Sequence, residues 1–325
     1  KKKKYLDFSN TIKTSNIYII CVPTPVKRVS KYSYKEDLSF LNSVLKELEK
    51  KLKKNDLVII ESTCPPKTAS KFYNKIRNFF FFYLATCPER AMPGSTINEM
   101  VNNYRVIGAS CNETFKKTKN LYRSFVKGKI YQTGLIEAEL IKLFENSYRD
   151  TNIALAHEID TISKYYKIDS KKIINLANFH PRVNILQPGI GVGGHCVPVD
   201  PWFLIKKNNV RKNSIIYKSR IINIKKEIEI YNYLLKILDK NKKILFFGTT
   251  YKKNTDDIRN SPAINIIKKL KKKFLKANIY DPMNDIYNNI SLKKIKSTTF
   301  DIIVVFVHHN WLNKNKIKNK RAILL

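Results

Sequence analysis

The sequence predicts an α/β protein with two doubly wound, Rossmann-like domains joined by a long helix. Short, continuously apolar runs alternate with longer amphipathic stretches, the pattern of parallel strands buried on both faces and separated by helices. This alternation occurs twice, on either side of a stretch from Leu135 to Tyr166 that contains neither Gly nor Pro. The chain has 325 residues, more than one hydrophobic core usually encloses.

In the first half of the chain, four apolar runs are predicted strands, at 17–22, 57–62, 80–86 and 106–109. The aromatic run from Phe79 to Phe82 leads into the third and is expected to be buried. Helical spacing predicts a helix over 34–54, and Pro65-Pro66 marks the start of another.

A dinucleotide-binding domain usually opens with a strand, a GxGxxG turn and a helix, and no such opening precedes residue 17. We therefore expect the first domain to lack its opening β-α-β segment. The last residues, 321–325, look like a shortened strand, so each domain is expected to expose a sheet edge.

The second half predicts helices over 135–166, 170–178, 214–239 and 262–274, and strands over 243–248, 277–281 and 301–307. These elements divide the chain into three predicted parts. Residues 1–110 form the first, partial α/β domain. Residues 111–213 form a central helical domain with a Gly-rich loop, and residues 214–325 form the second α/β domain.

The formal net charge of +36 suggests either a nucleic-acid-binding protein or drift in composition towards Lys. Lys residues are scattered along the whole chain, and Arg, the residue suited to bidentate contacts with phosphates and bases, is scarce. We therefore favour drift and expect no nucleic-acid partner. Tight DNA binding that survives moderate salt would support the other interpretation.

Five cysteines, an odd number with no CxxC spacing, predict a reduced cytoplasmic protein without a metal site. No apolar run is as long as a membrane-spanning helix, so no membrane partner is expected.

The strongest local signal is a cluster of glycines. Only nine Gly occur in the chain, and four of them lie within 189–194, directly before His195 and Cys196. Gly permits positive φ and close backbone approach to a ligand. A flexible turn would explain the cluster less well in a chain so poor in Gly. A lone Cys is more often a small buried apolar residue, but the glycines and nearby Asp200 favour a nucleophilic thiolate at Cys196 near a helix start.

Six segments resemble the UDP-glucose/GDP-mannose dehydrogenase family in the family's own order, over nearly the whole chain. They are VPTP (22–25), ESTCPP (61–66), CPERAMPG (87–94), AELIKLFENSYRDTNIALAHE (138–158), HPRVNILQPGIGVGGHCVPVDPWF (180–203) and YKKNTDDIRNSPA (251–263). Lys67 stands where many relatives have Gly.

The resemblance implies a homodimeric enzyme that oxidises a primary alcohol of a UDP-sugar to a carboxylate, with two NAD and no metal. By position, Cys196 would trap an aldehyde as a thiohemiacetal and then form a thioester that water hydrolyses. The first predicted domain would bind NAD and the last the UDP-sugar. The HPRVNILQPG segment favours UDP-N-acetyl-D-mannosamine, with UDP-N-acetylglucosamine or UDP-glucose as alternatives. A further alternative is a UDP-sugar-binding remnant without activity.

Three residues at i, i+4 and i+7 of the long helix share one face: Lys142, Asn146 and Arg149. Such a stripe is commonly only solvated. The resemblance instead makes Lys142 the proton donor and acceptor and oxyanion stabiliser, with Asn146 and Arg149 on the substrate. Asp200 would orient the hydrolytic water or Lys142, and Glu89 would position water or the nicotinamide.

The resemblance also implies the remaining binding residues. For the substrate these are Arg90, Ala91, His180, Arg182, Gly191, Tyr251 and Lys252, and for NAD they are Thr24, Thr63 and Arg259. Four of them have an ordinary alternative: a local hydrogen bond at a helix end for His180, a surface cation for Lys252, and a helix N-cap for Thr24 or Thr63.

Overall fold

A computed structural model describes residues 7–30, 32–91, 94–205, 213–315 and 317–325. The described residues fall into two compact units. Unit 1 comprises those up to Glu145 together with 202–205, and unit 2 comprises 146–201 and those from Asn213 onwards.

Unit 1 contains a five-stranded sheet and its helices, and the long helix α5 continues from it into unit 2. The elements are β1 (Ile17–Ile20), β2 (Val26–Ser30), β3 (Ser33–Glu36), α1 (Ser39–Glu49), β4 (Leu57–Ile60), α2 (Thr68–Ile76), β5 (Tyr83–Thr86), α3 (Thr96–Asn102), β6 (Arg105–Ala109), α4 (Asn112–Arg123), β7 (Ile130–Thr133) and α5 (Leu135–Tyr165).

The remaining elements belong to unit 2, except for most of α7. The first residue of α7 lies in unit 2, and its other residues, from Trp202 onwards, lie in unit 1. These elements are α6 (Ser170–Ala177), α7 (Pro201–Ile205), α8 (Ile215–Ile237), β8 (Ile244–Phe247), α9 (Pro262–Lys271), β9 (Asn278–Tyr280), α10 (Leu292–Ser297), β10 (Phe300–Val305), α11 (Trp311–Lys314) and β11 (Asn319–Leu324).

Both sheets are covered by apolar clusters on their two faces, which confirms the doubly wound prediction. In unit 1 the strand order is β1-β4-β5-β6-β7, and one cluster includes Leu41 of α1 while the other includes Tyr122 of α4. In unit 2 the order is β11-β10-β8-β9, with one cluster containing Leu234 of α8 and the other Ile295 of α10. Continuous apolar runs form the central strands because both faces of these strands are buried.

Three sequence predictions in unit 1 are wrong in detail. The strand β1 is not buried on both faces, since Ile17 and Ile19 are about half exposed at the sheet edge. The aromatic run precedes β5, and the exposure of its side chains alternates, so that Phe82 packs in the core while Phe79 is exposed. The strand β6 runs antiparallel to β5, with Ala85 opposite Ala109, in a sheet whose other pairs are parallel.

The predicted helix over 34–54 begins later, because its first residues form a hairpin of β2 and β3. The Asp37 N–H donates to the Pro25 carbonyl over 2.8 Å, which closes the hairpin. The Asp37 carboxylate then accepts the Ser39 N–H at 3.1 Å, where α1 begins.

No helix within the described ranges is long and apolar enough to cross a bilayer. The division of the chain into parts 1–110, 111–213 and 214–325 stays a prediction.

Candidate active site

The Gly-rich segment 189–194 in unit 2 requires most of its glycines. Gly191 has a φ of +137° and Gly194 a φ of +90°, which L side chains rarely adopt. A Cβ on Gly193 would lie 2.7 Å from both Pro262 Cδ and Tyr251 Cβ, whereas a Cβ on Gly189 would meet nothing within 4 Å. The C-terminal end of the Gly-rich segment therefore lies so close to the loop after β8 that there is no room for side chains.

Two hydrogen bonds fix Gly194 to that loop. The Gly194 N–H donates to the Arg259 carbonyl at 2.9 Å, and Asn260 Nδ2 donates to the Gly194 carbonyl at 2.9 Å. The conformation that follows is a turn and not the expected helix start: the Cys196 carbonyl accepts the N–H groups of Val199 and Asp200, each at 2.9 Å, and α7 begins only at Pro201.

Electrostatics place Cys196 in the same neighbourhood as three predicted binding residues. Burial, the Asp257 carboxylate and the Cys196 thiol together raise the pKa of Tyr251, and the Arg259 and Arg149 charges oppose that rise. The Arg259 guanidinium is bidentate on Asp257, with Nη2–Oδ2 2.6 Å and Nε–Oδ1 3.0 Å, and this raises the pKa of Arg259. Unit 2 thus brings a thiol, a phenol and two guanidinium groups together.

Asp200 is buried and accepts a hydrogen bond from the buried Asn146 Nδ2 at 2.5 Å. Asn146 was expected on the substrate. This hydrogen bond orients the Asp200 carboxylate, and the contact of Asn146 with substrate stays a prediction.

Lys142, on the part of α5 in unit 1, is 8% exposed, and Arg149 on the same helix is exposed. Lys142 is described in unit 1 and Cys196 in unit 2, so their cooperation stays a prediction.

The loop that carries Tyr251 and Lys252 follows β8 and is fixed by residues that the sequence analysis missed. The Asp281 carboxylate accepts the Thr249 and Thr250 N–H groups at 2.5 and 3.1 Å. The His309 ring accepts the Asn254 N–H on Nδ1 at 2.9 Å. Lys252 itself is exposed on this loop. The position of Asp281 directly after β9 is the signal that could have identified it.

In unit 1, Glu89 is held by the backbone that follows it. Its Oε1 accepts the Arg90 and Ala91 N–H groups at 2.6 and 2.7 Å, and its Oε2 accepts Arg105 Nη2 at 2.8 Å. Burial raises the pKa of Glu89, but Arg105 and the two N–H groups outweigh it, so the pKa lies below its usual range. Glu89 is therefore a carboxylate, suited to accept hydrogen bonds.

Arg90 is bound to its own unit, with Nε 2.9 Å and Nη2 2.5 Å from the Glu145 carboxylate and Nη1 3.0 Å from the Tyr104 carbonyl. The predicted substrate contact by Arg90 would compete with this ion pair. Arg105, which also lies 4.4 Å from the Tyr122 ring centroid and reaches Glu61, was not found from the sequence.

His180 and Arg182 are exposed beyond the end of α6. The His180 Nδ1 accepts the Arg182 N–H at 3.3 Å, a local bond of the kind weighed against a binding role. Their contact with substrate stays a prediction.

Thr24 and Thr63 lie in the turns beyond β1 and β4, and Thr24 Oγ1 donates to the Thr63 carbonyl at 2.6 Å. Neither is an N-cap, since Leu38 and Lys67 precede α1 and α2. The carboxyl ends of adjacent parallel strands are where doubly wound sheets bind nucleotides. This position agrees with the expected contact of both residues with NAD, which stays a prediction.

Comparisons with known proteins identify three consecutive matches to one family. The UDP-glucose/GDP-mannose dehydrogenase family matches with its NAD binding domain over residues 2–126, its central domain over 136–225 and its UDP binding domain over 245–324. The expected cofactor, NAD, is confirmed by the first match.

Three similar proteins are UDP-N-acetyl-D-mannosamine dehydrogenases. The chain is 41% identical over 311 residues to UDP-N-acetyl-D-mannosamine dehydrogenase of Methanocaldococcus jannaschii, covering 94% of this chain and 72% of that protein. The structure of UDP-D-ManNAc dehydrogenase from Pyrococcus horikoshii matches with a TM-score of 0.82 and 37% identity, over 94% of this chain and 74% of that one. A UDP-N-acetyl-mannosamine dehydrogenase structure from Staphylococcus aureus matches with a TM-score of 0.83 and 35% identity, over 97% and 78%.

Proposed function

The chain belongs to the UDP-glucose/GDP-mannose dehydrogenase family, and we propose that it oxidises UDP-N-acetyl-D-mannosamine to UDP-N-acetyl-D-mannosaminuronate with NAD. The observation that carries the proposal is the Gly-rich segment before Cys196, which lies in the central-domain match and packs against Tyr251 and the loop of Arg259 in the UDP binding domain match. The names of the similar proteins favour mannosamine over the glucose and N-acetylglucosamine sugars.

The chemistry divides between cofactor and protein. Bound NAD would accept a hydride in each of two oxidations, and Thr24 and Thr63 would contact it. Lys142 exchanges the proton of the sugar oxygen. The Cys196 thiolate adds to the aldehyde carbon to form a thiohemiacetal, which after the second oxidation is a thioester. Asp200, oriented by Asn146, positions the water that hydrolyses this thioester, and Cys196 leaves as the thiolate.

Cationic side chains of unit 2 would bind the diphosphate and sugar. The Arg149 charge acts on Tyr251, and Lys252 is exposed on the loop that carries Tyr251. Arg259 of the same unit would contact NAD together with Thr24 and Thr63. The backbone at Gly191, which carries no side chain, would contact the ligand directly. The remaining predicted contacts of the substrate are those of Arg90, Ala91, His180 and Arg182, with Glu89 holding water or the nicotinamide.

The deciding measurement is NADH release from the purified chain given NAD and each of three sugars: UDP-N-acetyl-D-mannosamine, UDP-N-acetylglucosamine and UDP-glucose. We expect two NADH per sugar, the highest kcat/KM for the mannosamine, and loss of turnover in Cys196→Ser. An equal or reversed preference would refute the assignment of the sugar. Full activity of Cys196→Ser would refute the covalent route.

A second candidate is a UDP-sugar-binding protein without activity. It is favoured by the drift of the composition towards Lys, which gives the chain a formal net charge of +36. Heat protection by the UDP-sugar without any NADH release would support this candidate.

We also expect a homodimer, formed through an apolar stripe on α5. Tyr148, Leu155 and Ile162 recur every seven residues and are 63%, 47% and 54% exposed. These side chains would lie on one face, and apolar surface of this kind marks interaction sites. Sedimentation should give a dimer that Leu155→Asp dissociates, and a monomeric parent protein would contradict the expectation.

The product would supply uronic acid for a surface polysaccharide, with the reaction in the reducing cytoplasm. Deletion of the gene should remove mannosaminuronate from the isolated polysaccharide, and its persistence would refute this role.

A further inference from the structure

A buried histidine contacts the start of the Gly-rich segment. His157 on α5 is 1% exposed, and its Nε2 lies 3.2 Å from the Gly189 nitrogen, which donates. A backbone N–H can only donate, so Nε2 must be unprotonated and the neutral ring must carry its proton on Nδ1. That Nδ1 lies 3.0 Å from Asn223 Oδ1, a suitable acceptor.

The orientation of the Asn223 amide agrees with this assignment. Its Nδ2 donates to Asp150 twice, to the carbonyl at 2.9 Å and to Oδ1 at 2.8 Å, which turns Oδ1 towards His157. Arg220 Nη1 donates to the same Asp150 oxygen at 2.5 Å. His157, Asn223, Asp150 and Arg220 are buried. With these donors and acceptors the bonds run in one direction, from Gly189 through His157 and Asn223 to Asp150.

The Gly-rich segment needs such a contact because glycine loses more conformational entropy on ordering than any other residue. The C-terminal end of the segment is held by hydrogen bonds of Gly194 with Arg259 and Asn260. At its N-terminal end, no atom of the described residues lies close to the position that a Cβ on Gly189 would take, so packing does not fix this end. The hydrogen bond to His157 therefore fixes the N-terminal end to α5 and α8.

We propose that His157 is a positioning residue, which holds the segment 189–194, and through it Cys196, by accepting the Gly189 N–H on an unprotonated Nε2. This inference rests on the proposed role of Cys196 as the nucleophile. Burial, and after it the charge of Lys226, lowers the pKa of His157 to about 4, so the ring is the neutral acceptor at neutral pH.

The first test uses the unaltered protein. Nitrogen-15 NMR of the five labelled histidines, with the His157 resonances identified by their loss in His157→Gln, should show a ring protonated on Nδ1 alone. A ring protonated on Nε2 could not accept the Gly189 N–H and would overturn the proposal.

The second test compares two isosteric variants. His157→Gln places an amide oxygen near the position of Nε2 and keeps an acceptor for Gly189, whereas His157→Asn replaces only the Nδ1 side of the ring. In His157→Asn we expect two rates to change roughly tenfold, that of amide hydrogen exchange at Gly189 and that of Cys196 alkylation by iodoacetamide. In His157→Gln both rates should stay within about threefold of those of the parent.

Unchanged exchange in His157→Asn, or equal effects in both variants, would overturn the proposal. Neither readout uses NAD or turnover. A chain that proves inactive would therefore refute the proposed function while leaving this inference testable.

Discussion

The two units arrange the carboxyl ends of their parallel strands differently. In unit 2, the loop after β8 is fixed by buried side chains, since Asp281 accepts the Thr249 and Thr250 N–H groups and His309 accepts that of Asn254. In unit 1, the turns beyond β1 and β4 are joined by one hydrogen bond from Thr24 to the Thr63 carbonyl, beside a strand whose outer face is half exposed. The loop of unit 2 is thus the more preorganised, and we predict that UDP-sugar binding depends less on unit 1 than turnover does.

The largest effect should come from adding one methyl group in unit 2. Gly193→Ala would place a Cβ 2.7 Å from Pro262 and Tyr251, so the segment must move and carry Cys196 with it. We expect activity to fall at least about a hundredfold, with stability lowered by roughly 1–3 kcal/mol. Gly189→Ala is the matched control, because its Cβ meets nothing within 4 Å and the N–H to His157 is kept. Steady-state kinetics on both variants would contradict the steric argument if they behaved alike.

Acid should weaken unit 2 through His157, whose pKa falls from 6.5 to about 4 on burial. Above pH 6.5 the ring is neutral in both the folded and unfolded states. Between pH 6.5 and 4 only the unfolded chain takes up the proton, so the free energy of unfolding falls as pH falls, by on the order of 3 kcal/mol.

The measurement is urea unfolding at several pH values for the parent and His157→Gln. Because Asp150 and Asp160 are present in both proteins, the difference between their curves isolates the histidine. Parallel curves over this range would exclude His157 as the cause.

Asp281→Asn should loosen the loop after β8, because the amide can accept fewer of the N–H groups that the carboxylate accepts. We expect a loss of about 2 kcal/mol and weaker UDP binding. Hydrogen exchange should accelerate in 249–254 and stay unchanged in the turns that hold Thr24 and Thr63. Equal acceleration in both units would contradict the claim that Asp281 fixes the loop of unit 2 in particular.

The smallest effect concerns backbone strain at the start of α2. Lys67 has a φ of +72°, a left-handed conformation in which Gly is favoured, and its N–H donates to Glu139 in unit 1 at 2.7 Å. Lys67→Gly should therefore raise stability by up to about 1 kcal/mol. Lys167→Gly, at a φ of +57° in unit 2, is the counterpart. A loss of thermal stability in Lys67→Gly would show that the strain is offset elsewhere.

Much of the architecture follows from local patterns. The helix predicted over 135–166 is Leu135–Tyr165, because the absence of Gly and Pro over such a long stretch is a local property. The run KILFFG likewise contains β8, whose residues are all buried. The hairpin of β2 and β3 was missed because its charged residues also fit helical spacing, and Phe79 is exposed because an aromatic run alone does not say which face the core lies on.

The sequence by itself determined the alternation of strands and helices, the Gly-rich segment before Cys196, and the order of motifs that identifies the family, since all are properties of neighbouring residues. Only the tertiary structure decided which side chains fix those segments. His157 contacts Gly189, Asp281 contacts Thr249, and Arg105 contacts Glu89, each pair distant along the chain. Such bonds form where packing buries a polar group and leaves one partner within reach, and no local pattern records that choice.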